Sequence, residues 1–237
     1  MIWAYAVCDH PDLPLPRRRG LAQAPLEGIR QDGLLAVVSQ HTHVPGDPAL
    51  DALWAHERVV ERLMADRAVL PLRFGTKLPD VESVRATLAA RYDEFLLTLE
   101  KVRGRVELGV RAMASPQPDG AAAAVVTPQP ASTPQTGRSY LFDKLARGHR
   151  NEHEAGAVHD PLAAMAVASR RSRSQSDDEV LRAAYLVQRA DVARFRMLVQ
   201  RLQQQQPELA ILCTGPWPPY SFVGAGDEAT AIRGGAS

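Results

Sequence analysis

The sequence predicts an α+β fold in two domains, and three observations support this prediction. Short apolar runs rich in β-branched and aromatic residues alternate with longer segments in which apolar residues recur every three or four positions. The 237 residues, of which 45% are hydrophobic, suffice for two ordinary cores. A Pro- and Ala-rich stretch interrupts this pattern near the middle of the chain. We place an N-terminal α+β domain at residues 1–104, a C-terminal α+β domain at 105–226 and a flexible tail at 227–237.

Composition excludes several classes of protein. The 28 basic and 27 acidic residues give a net charge of +1, so no global field would attract nucleic acid or anionic lipid. No apolar segment approaches the ~18 residues of a membrane-spanning helix, and the N-terminal apolar run lacks the basic segment of a secretion signal. We therefore expect a cytoplasmic protein with no membrane or nucleic-acid partner. Cys8 and Cys213 lie in predicted strands, which is typical of small buried hydrophobes in a reducing compartment.

The N-terminal domain is predicted to contain three strands. The runs IWAYAV and GLLAVVS predict strands at residues 2–8 and 34–39, joined by a long loop. The run VLPLRFG predicts a third strand at residues 69–75. Pro71 lacks a backbone N–H, so this strand should lie at an edge of the sheet, or where one ladder bond is dispensable.

Two helices complete the predicted N-terminal domain. Asp47 followed by Pro48 is a helix start signal, since the Asp oxygen accepts a free N–H and proline has none, and this helix should run to about Asp66. Asp80 should cap the second helix, which spans about six turns. Its apolar stripe could line a core or form a coiled-coil face, and we favour the core. The stripe comprises Val81, Val84, Leu88, Phe95, Leu99 and Val102.

The C-terminal domain shows the element order βαββαβ, which is the ferredoxin-like pattern. Five segments carry this order beside a weak strand at 165–172: strands at 106–113, 180–187 and 209–213, a helix from about Ser139, and a helix marked by Val192, Phe195, Val199 and Leu202. Residues 115–136 are Pro- and Ala-rich and predict a flexible insertion. The run Leu209–Cys213 is fully apolar, so we expect a central strand that Gly215 and Pro216 end at once.

Motifs for catalysis or metal binding are incomplete in this sequence. His56 and Glu57 begin like a metalloprotease helix, but no second histidine follows at the required spacing. His149 and His153 are four residues apart without a third ligand from a fixed position. Residues 224–229, GAGDEA, match a dinucleotide fingerprint by letter but have too few residues after them for the required helix. The sequence therefore predicts no catalytic, cofactor-binding or metal-binding residues and gives no positive evidence for an enzyme.

Glu57 is the one charged residue with an unusual predicted environment. If residues 48–66 form one helix, Glu57 lies in the middle of an apolar arc. A buried carboxylate needs a paired cation, and Arg73 on the neighbouring predicted strand is the nearest in sequence. The alternative is a rotated or shorter helix in which Glu57 reaches solvent. The arc comprises Leu50, Leu53, Trp54, Val60 and Met64.

The segment GPWPPYSF after the last strand combines prolines with aromatic residues. The prolines hold the backbone extended without donors for a ladder, so Trp217, Tyr220 and Phe222 are displayed from a stiff support. These aromatics could fold back as a plug over the helices of their own domain, or form a recognition surface for another protein. Composition favours the plug.

Several of these segments together resemble the gas vesicle protein GvpF/GvpL family. The resemblance covers most of residues 1–223, in the family's order, and departs from it at residues 115–136. It is carried by GLLAVVS, the W-x-HE segment of Trp54, His56 and Glu57, VLPLRFGT at Val69–Thr76, VELGVRAM, AAYLV at Ala183–Val187, and TGPWPPYSF at Thr214–Phe222.

The resemblance implies a non-enzymatic accessory protein, without cofactors, that is required for gas vesicle assembly. It implies two α+β domains, the second of modified ferredoxin-like type, and contacts with the small hydrophobic shell subunit GvpA and other accessory Gvp proteins. The family has no catalytic residues to transfer, so the matching positions are candidates for scaffold or interface. These candidates are Trp54, His56, Glu57, Arg73, Phe74, Gly75, Thr76, Gly215, Pro216, Trp217, Pro218, Pro219, Tyr220 and Phe222.

A different class of protein fits the same predicted fold. A ferredoxin-like regulatory protein that binds a small ligand or a nucleotide could use the scattered arginines to hold phosphate. Binding of a nucleotide would favour this class, whereas association with the shell subunit would favour the assembly role.

Overall fold

The computed structural model describes residues 1–42, 50–115, 137–176 and 178–224, and for residues 137–150 it describes the backbone alone. The contacts divide the chain into a first unit, Met1–Glu107 with the segment that begins at Pro216, and a second unit, Leu108–Gly215. The sequence instead placed residues 216–226 in the C-terminal domain, and the predicted domain boundaries remain predictions. Residues 116–136 of the predicted insertion and the predicted tail lie outside the described residues.

The first unit is built around a five-stranded antiparallel sheet with the order β2-β3-β1-β4 and β5 paired with β1. Every residue of β1 is buried, which explains the uninterrupted apolar run at the N-terminus. The strands are β1 (Ile2–Cys8), β2 (Glu27–Gln31), β3 (Leu34–Gln40), β4 (Val69–Pro71) and β5 (Lys77–Leu78), and the helices are α1 (Leu50–Leu63), α2 (Val81–Ala90) and α3 (Tyr92–Val102).

Alternate side chains of β1 enter two different cores. Ile2 and Ala4 pack in the cluster that contains residues of α2 and α3. Trp3 and Tyr5 pack in a second cluster that contains Val59, Val60 and Leu63 of α1. The sheet of the first unit therefore lies between α1 on one face and α2 with α3 on the other.

The predicted long loop between β1 and β3 is wrong, because it contains strand β2. Gln31 of β2 pairs with Leu34 of β3, and only Asp32 and Gly33 connect them. Both connecting residues have positive φ, 48° and 89°, as a type I′ hairpin turn requires. The Asp-Gly pair is the sequence signal that could have predicted this hairpin.

The helices of the first unit agree in part with the prediction. Asp80 caps α2 as predicted, with Oδ1 accepting the Ser83 N–H at 2.8 Å. The predicted single helix is two helices, because Arg91 leaves helical geometry at φ −117° and ψ 23°. The predicted helix start at Asp47 and Pro48 lies outside the described residues. The predicted core stripe is confirmed, since its members Val84, Leu88, Phe95, Leu99 and Val102 are buried.

The third predicted strand is shorter than expected. β4 ends at Pro71, whereas the prediction extended it to residue 75. β4 lies at the end of the strand order, which is the edge position predicted from Pro71.

The second unit has the predicted ferredoxin-like order of elements, and its four-stranded sheet has the order β7-β8-β6-β9. The weak predicted strand near residue 168 is confirmed as β7. The core contains side chains from both helices, including Val158, Leu162, Phe195, Val199 and Leu202. The elements are β6 (Arg105–Ala114), α4 (Gly137–Met165), β7 (Ala168–Arg171), β8 (Glu179–Gln188), α5 (Val192–Gln205) and β9 (Leu209–Trp217).

The prediction that Leu209–Cys213 forms a central strand is wrong. β9 lies at the edge of the sheet, and only alternate residues such as Ile211 and Cys213 pack against the core. The strand also continues through Gly215 and Pro216 to Trp217 instead of ending there. Gly215 has a φ of 103°, so β9 departs from regular strand geometry directly before Pro216, and proline in sheets is confined to edges and to irregularities of this kind.

Candidate functional site

The candidate residues fall into three segments. Trp54, His56 and Glu57 lie on α1, and Arg73–Thr76 form the turn between β4 and β5. Gly215 ends the second unit, whereas Pro216–Gly224, which we call the C-terminal segment, belongs to the first unit. The structure therefore brings all candidates except Gly215 into one unit.

His56 is completely buried and makes two hydrogen bonds. The indole Nε1–H of Trp3 donates to Nδ1 at 3.2 Å, and Nε2 donates to the backbone oxygen of Leu72 at 2.9 Å. Because an indole only donates and a carbonyl only accepts, the imidazole is neutral with its proton on Nε2. Burial lowers the pKa of His56 to about 4, although the bond to Leu72 acts in the opposite direction.

The aromatic rings of Trp3, Tyr5 and Phe74 surround His56. We call these three residues and His56 the histidine cluster. The centroid of the His56 ring lies 5.2 Å from that of Tyr5 and 5.7 Å from that of Phe74. Trp3 and Phe74 meet edge to face at 5.1 Å. This arrangement connects α1 to β1 and to the turn after β4, and it leaves no polar atom of His56 available for a ligand.

A hydrogen-bonded chain extends from the histidine cluster through Tyr5. Its hydroxyl oxygen accepts the Leu21 N–H at 2.7 Å and hydrogen-bonds Ser39 Oγ at 2.7 Å, which in turn bonds His41 Nε2 at 2.7 Å. Burial raises the pKa of Tyr5, so the phenol stays protonated. A Cβ on Gly20 would lie 2.2 Å from the Tyr5 hydroxyl, so only glycine fits there. The sequence prediction missed Trp3 and Tyr5, although their alternate positions on β1 place both on one face.

The segment RFGT forms a tight turn that positions Phe74. Gly75 has a φ of 93°, which favours glycine. Thr76 donates to the Arg73 backbone oxygen twice, from its N–H at 3.0 Å and from its hydroxyl at 2.7 Å. The Thr76 backbone oxygen then accepts the Ala4 N–H at 3.0 Å. Gly75 and Thr76 thus hold the turn against β1, and Phe74 packs on Trp3.

The predicted ion pair between Glu57 and Arg73 is wrong. Glu57 is half-buried, and its Oε1 accepts the Tyr220 hydroxyl at 2.7 Å, whereas Arg73 is exposed. Partial burial raises the pKa of Glu57, and the bond from Tyr220 opposes this shift. The physical reason is a rotation of α1 relative to the predicted arc. The helix buries His56, Val59, Val60 and Leu63 and exposes Leu50, Leu53 and Trp54, because neutral His56 takes a core position that the sequence pattern had assigned to solvent.

The C-terminal segment packs against the first unit. Ser221 donates from its N–H at 2.8 Å and from its hydroxyl at 2.7 Å to the two carboxylate oxygens of Glu107. Phe222 is 2% exposed, with Lys101 Nζ 5.8 Å from the ring centroid. Pro218 and Pro219 are also buried. The segment is therefore a plug, as composition indicated, but it covers the first unit and not the domain in which we had placed it.

Trp217 differs from the other aromatics of the C-terminal segment. Its side chain is 41% exposed, and it stands between Pro216 and the buried Pro218. The alternative that this segment forms a recognition surface stays a prediction. Among its three aromatic side chains, Trp217 is the exposed one.

Within the described residues, no group of three or more His, Cys, Asp and Glu side chains is arranged to hold a metal ion. No helix in the same part of the chain is both long and apolar enough to cross a membrane.

These features define a mixed α+β protein whose candidate site is a rigid scaffold of packed and hydrogen-bonded aromatic side chains. The family model described as gas vesicle synthesis protein GvpL/GvpF matches residues 1–224. The chain belongs to this family, as the resemblance predicted, and membership implies a role in gas vesicle formation.

Named relatives and solved structures agree with this assignment. Gas vesicle protein L of Streptomyces sp. (strain CB03234) is 35% identical, over 95% of this chain and 94% of its own. Gas vesicle protein F of the same strain is 30% identical, over 94% of this chain and 98% of its own. The crystal structure of GvpF from Anabaena sp. PCC7120 has a TM-score of 0.80 at 21% identity and covers 95% of this chain and 97% of that one. That likeness confirms the predicted α+β fold class.

Proposed function

We propose that this protein is an accessory factor in gas vesicle assembly and that it acts by contacts with the shell subunit GvpA and other Gvp proteins. It works without catalysis and without a cofactor, in the cytoplasm, at the forming vesicle. Family membership supports the role in vesicle formation. The exposed face of α1 supports the mode of action.

Leu50, Leu53 and Trp54 are exposed on one face of α1, and we call these three residues the α1 surface. Their spacing of three and four residues places them side by side on the helix. Trp54 is 52% exposed, and tryptophan is enriched among the residues that dominate binding energy at protein interfaces. An exposed apolar group of this kind suits a small hydrophobic partner such as the shell subunit.

The α1 surface is supported from beneath. The two hydrogen bonds of His56 and the bond from Tyr220 to Glu57 fix the helix that carries it. Binding to a surface that is already ordered costs less conformational entropy. The other candidate residues, Arg73, Phe74, Gly75 and Thr76 among them, therefore act as scaffold in this proposal, while Trp54 contacts the partner.

Co-purification of the shell subunit with the wild type and with Trp54→Ala tests this proposal. We expect Trp54→Ala to weaken the association by about thirtyfold, the effect of losing a hot-spot residue worth about 2 kcal/mol. Leu97→Ala is the matched control, since Leu97 lies on α3 of the same unit and is 75% exposed. Equal retention of the shell subunit by both variants would contradict the assignment of the α1 surface.

A second measurement tests the role itself. Cells that form gas vesicles should lose them when the gene is deleted and regain them with the Leu97→Ala variant but not with Trp54→Ala. A thermal-shift panel of nucleotides should show no ligand. Micromolar binding of a nucleotide, together with normal vesicles in the deletion strain, would favour the ligand-binding regulatory protein instead.

A further inference from the structure

β9 lies at the end of its sheet, next to β6. The backbone N–H and C=O groups on the other side of β9 therefore do not pair with a strand of this sheet. The Ser115 N–H, which directly follows β6, donates to the backbone oxygen of Glu208 at 2.7 Å. Because successive peptide groups of a strand point in opposite directions, even-numbered positions of β9 face β6. The backbone groups of Leu209, Ile211 and Cys213 therefore face outward. Gly215, whose φ of 103° interrupts the regular alternation, presents its carbonyl to Arg196 of α5. We call these four positions the outer edge.

Helix α5 places two polar side chains on the outer edge. Gln203 Nε2 donates to the Leu209 oxygen at 2.6 Å, and Gln203 Oε1 accepts the Ile211 N–H at 2.7 Å. Arg196 donates to the Gly215 oxygen. Seven residues separate Gln203 and Arg196, so two helical turns bring both to the same face of α5. The two ends of the outer edge are thus occupied by side chains of one helix.

The amide of Gln203 has the same donor and acceptor as a peptide group. By bonding one carbonyl and the N–H two residues later, it occupies hydrogen-bonding groups that a neighbouring strand would otherwise use. What fits the outer edge is therefore the main chain of another strand.

Between Gln203 and Arg196 the outer edge is open. In the part of the chain that the structure describes, the Ile211 carbonyl and both backbone groups of Cys213 have no partner outside the sheet. Natural edge strands are commonly protected from pairing by charged residues or by proline. Leu209–Trp217 contains no charged residue, and its proline, Pro216, lies beyond the open stretch from Ile211 to Cys213. Leu212, at the centre of β9, is 57% exposed.

We propose that the outer edge of β9 is a pairing surface for β9 of a second copy of this chain, and that Gln203 and Arg196 restrict this pairing. A twofold axis beside Cys213 pairs its N–H and carbonyl with those of the second copy's Cys213 in antiparallel register. The next groups to pair are the Ile211 N–H and the second copy's Gly215 carbonyl. These are the groups that Gln203 and Arg196 occupy.

The second copy is the favoured occupant because the outer edge is complementary to itself. Its open groups include both a donor and an acceptor on Cys213, and uncharged strands do not repel each other across a twofold axis. All residues involved lie in the second unit, so this inference does not depend on the proposed function.

Sedimentation equilibrium of the full chain under reducing conditions tests the proposal. Gln203→Ala should raise the self-association constant by about tenfold or more, because it frees two strand hydrogen bonds on each copy. Gln204→Ala is the matched control, since Gln204 is an exposed glutamine on the same helix. Gln203→Asn, whose side chain is one methylene too short, should have the same effect as Gln203→Ala and serves if the alanine variant does not fold.

Cys213→Pro in the Gln203→Ala background identifies the surface. Proline removes the outward N–H of Cys213, which the sheet does not use, so an edge strand tolerates it. Self-association should return to the level of Gln204→Ala, with circular dichroism confirming the fold. The proposal is overturned if both Gln203 variants associate no more strongly than Gln204→Ala, or if the association survives Cys213→Pro.

Discussion

At the scale of single residues, His56 is a titratable side chain used as a core residue. The Trp3 indole and the Leu72 carbonyl satisfy both ring nitrogens, so the neutral form loses nothing on burial. A protonated ring would need two acceptors, and the Trp3 indole only donates. This explains why W-x-HE places its histidine inward while its tryptophan remains at the surface.

The pKa of His56 predicts acid sensitivity of the fold. The folded-state pKa of about 4 lies below the ordinary value of 6.5, so the unfolded chain binds the proton more readily. The contribution of His56 to stability is therefore complete above pH 6.5 and falls by about 3 kcal/mol as the pH drops from 6.5 to 4. Chemical denaturation at a series of pH values measures this loss.

His56→Gln provides the comparison for that measurement, because glutamine can donate and accept but does not titrate. The free energy of unfolding of this variant should be lower at neutral pH and should depend less on pH between 6.5 and 4. Parallel curves for the wild type and His56→Gln would show that another group causes the acid sensitivity.

At the scale of elements, the sequence prediction succeeded for features that follow from the pattern of apolar residues. It failed for features that depend on contacts with other segments of the chain. The strands β1 and β8 and the stripe on α2 and α3 follow from which side chains are apolar, and the structure confirms them. The break at Arg91 lies within a continuous apolar stripe, so periodicity gave no sign of it. Whether β9 is central or at an edge depends on the other strands of the sheet, which its own sequence does not reveal.

The candidate site follows the same division. The composition of GPWPPYSF indicated a plug, whereas the turn at Gly75 was missed because it lay inside the strand predicted at residues 69–75. The partner of Glu57 was not predictable, because Tyr220 is 163 residues away and α1 had to be rotated correctly first.

Glu179 offers a prediction about how neighbouring strands are tied together. Its carboxylate is buried on β8 and accepts hydrogen bonds from Arg111 of β6, from Arg182 and from the Gln175 N–H. Burial alone would raise the pKa of Glu179, but these bonds outweigh it and lower the pKa to about 2. Glu179→Ala should cost ~2 to 3 kcal/mol, since it removes the buried carboxylate and leaves the partly buried Arg182 guanidinium and the Gln175 N–H without their acceptor.

The matched control is Glu152→Ala. Glu152 forms a two-pronged pair with Arg171, but both side chains are exposed, so its loss should cost less than ~1 kcal/mol. Thermal or urea unfolding of the two variants gives both values. Similar losses would mean that burial of Glu179 does not strengthen its interactions.

At the scale of the whole molecule, the first unit is built from two separate parts of the sequence. The polypeptide leaves the first unit after Glu107 and contributes to it again from Pro216 onward. Closing so large a loop costs conformational entropy, which the contacts of the returning segment must offset. The hydrogen bonds of Ser221 to Glu107 and the burial of Phe222 therefore link the stability of the first unit to the final residues of the described chain.

This link predicts that two aromatic residues of the C-terminal segment contribute very differently to the stability of the first unit. Phe222→Ala should lower the stability of the first unit by ~3 to 5 kcal/mol, because it removes a buried ring and leaves a cavity. Trp217→Ala should cost about 1 kcal/mol or less, because its side chain is 41% exposed. Hydrogen exchange of the β1 amides reports on the first unit specifically and measures both effects. Comparable losses in the two variants would mean that Trp217 anchors the segment as firmly as Phe222, and the tryptophan would then be part of the plug and not an available contact for a partner.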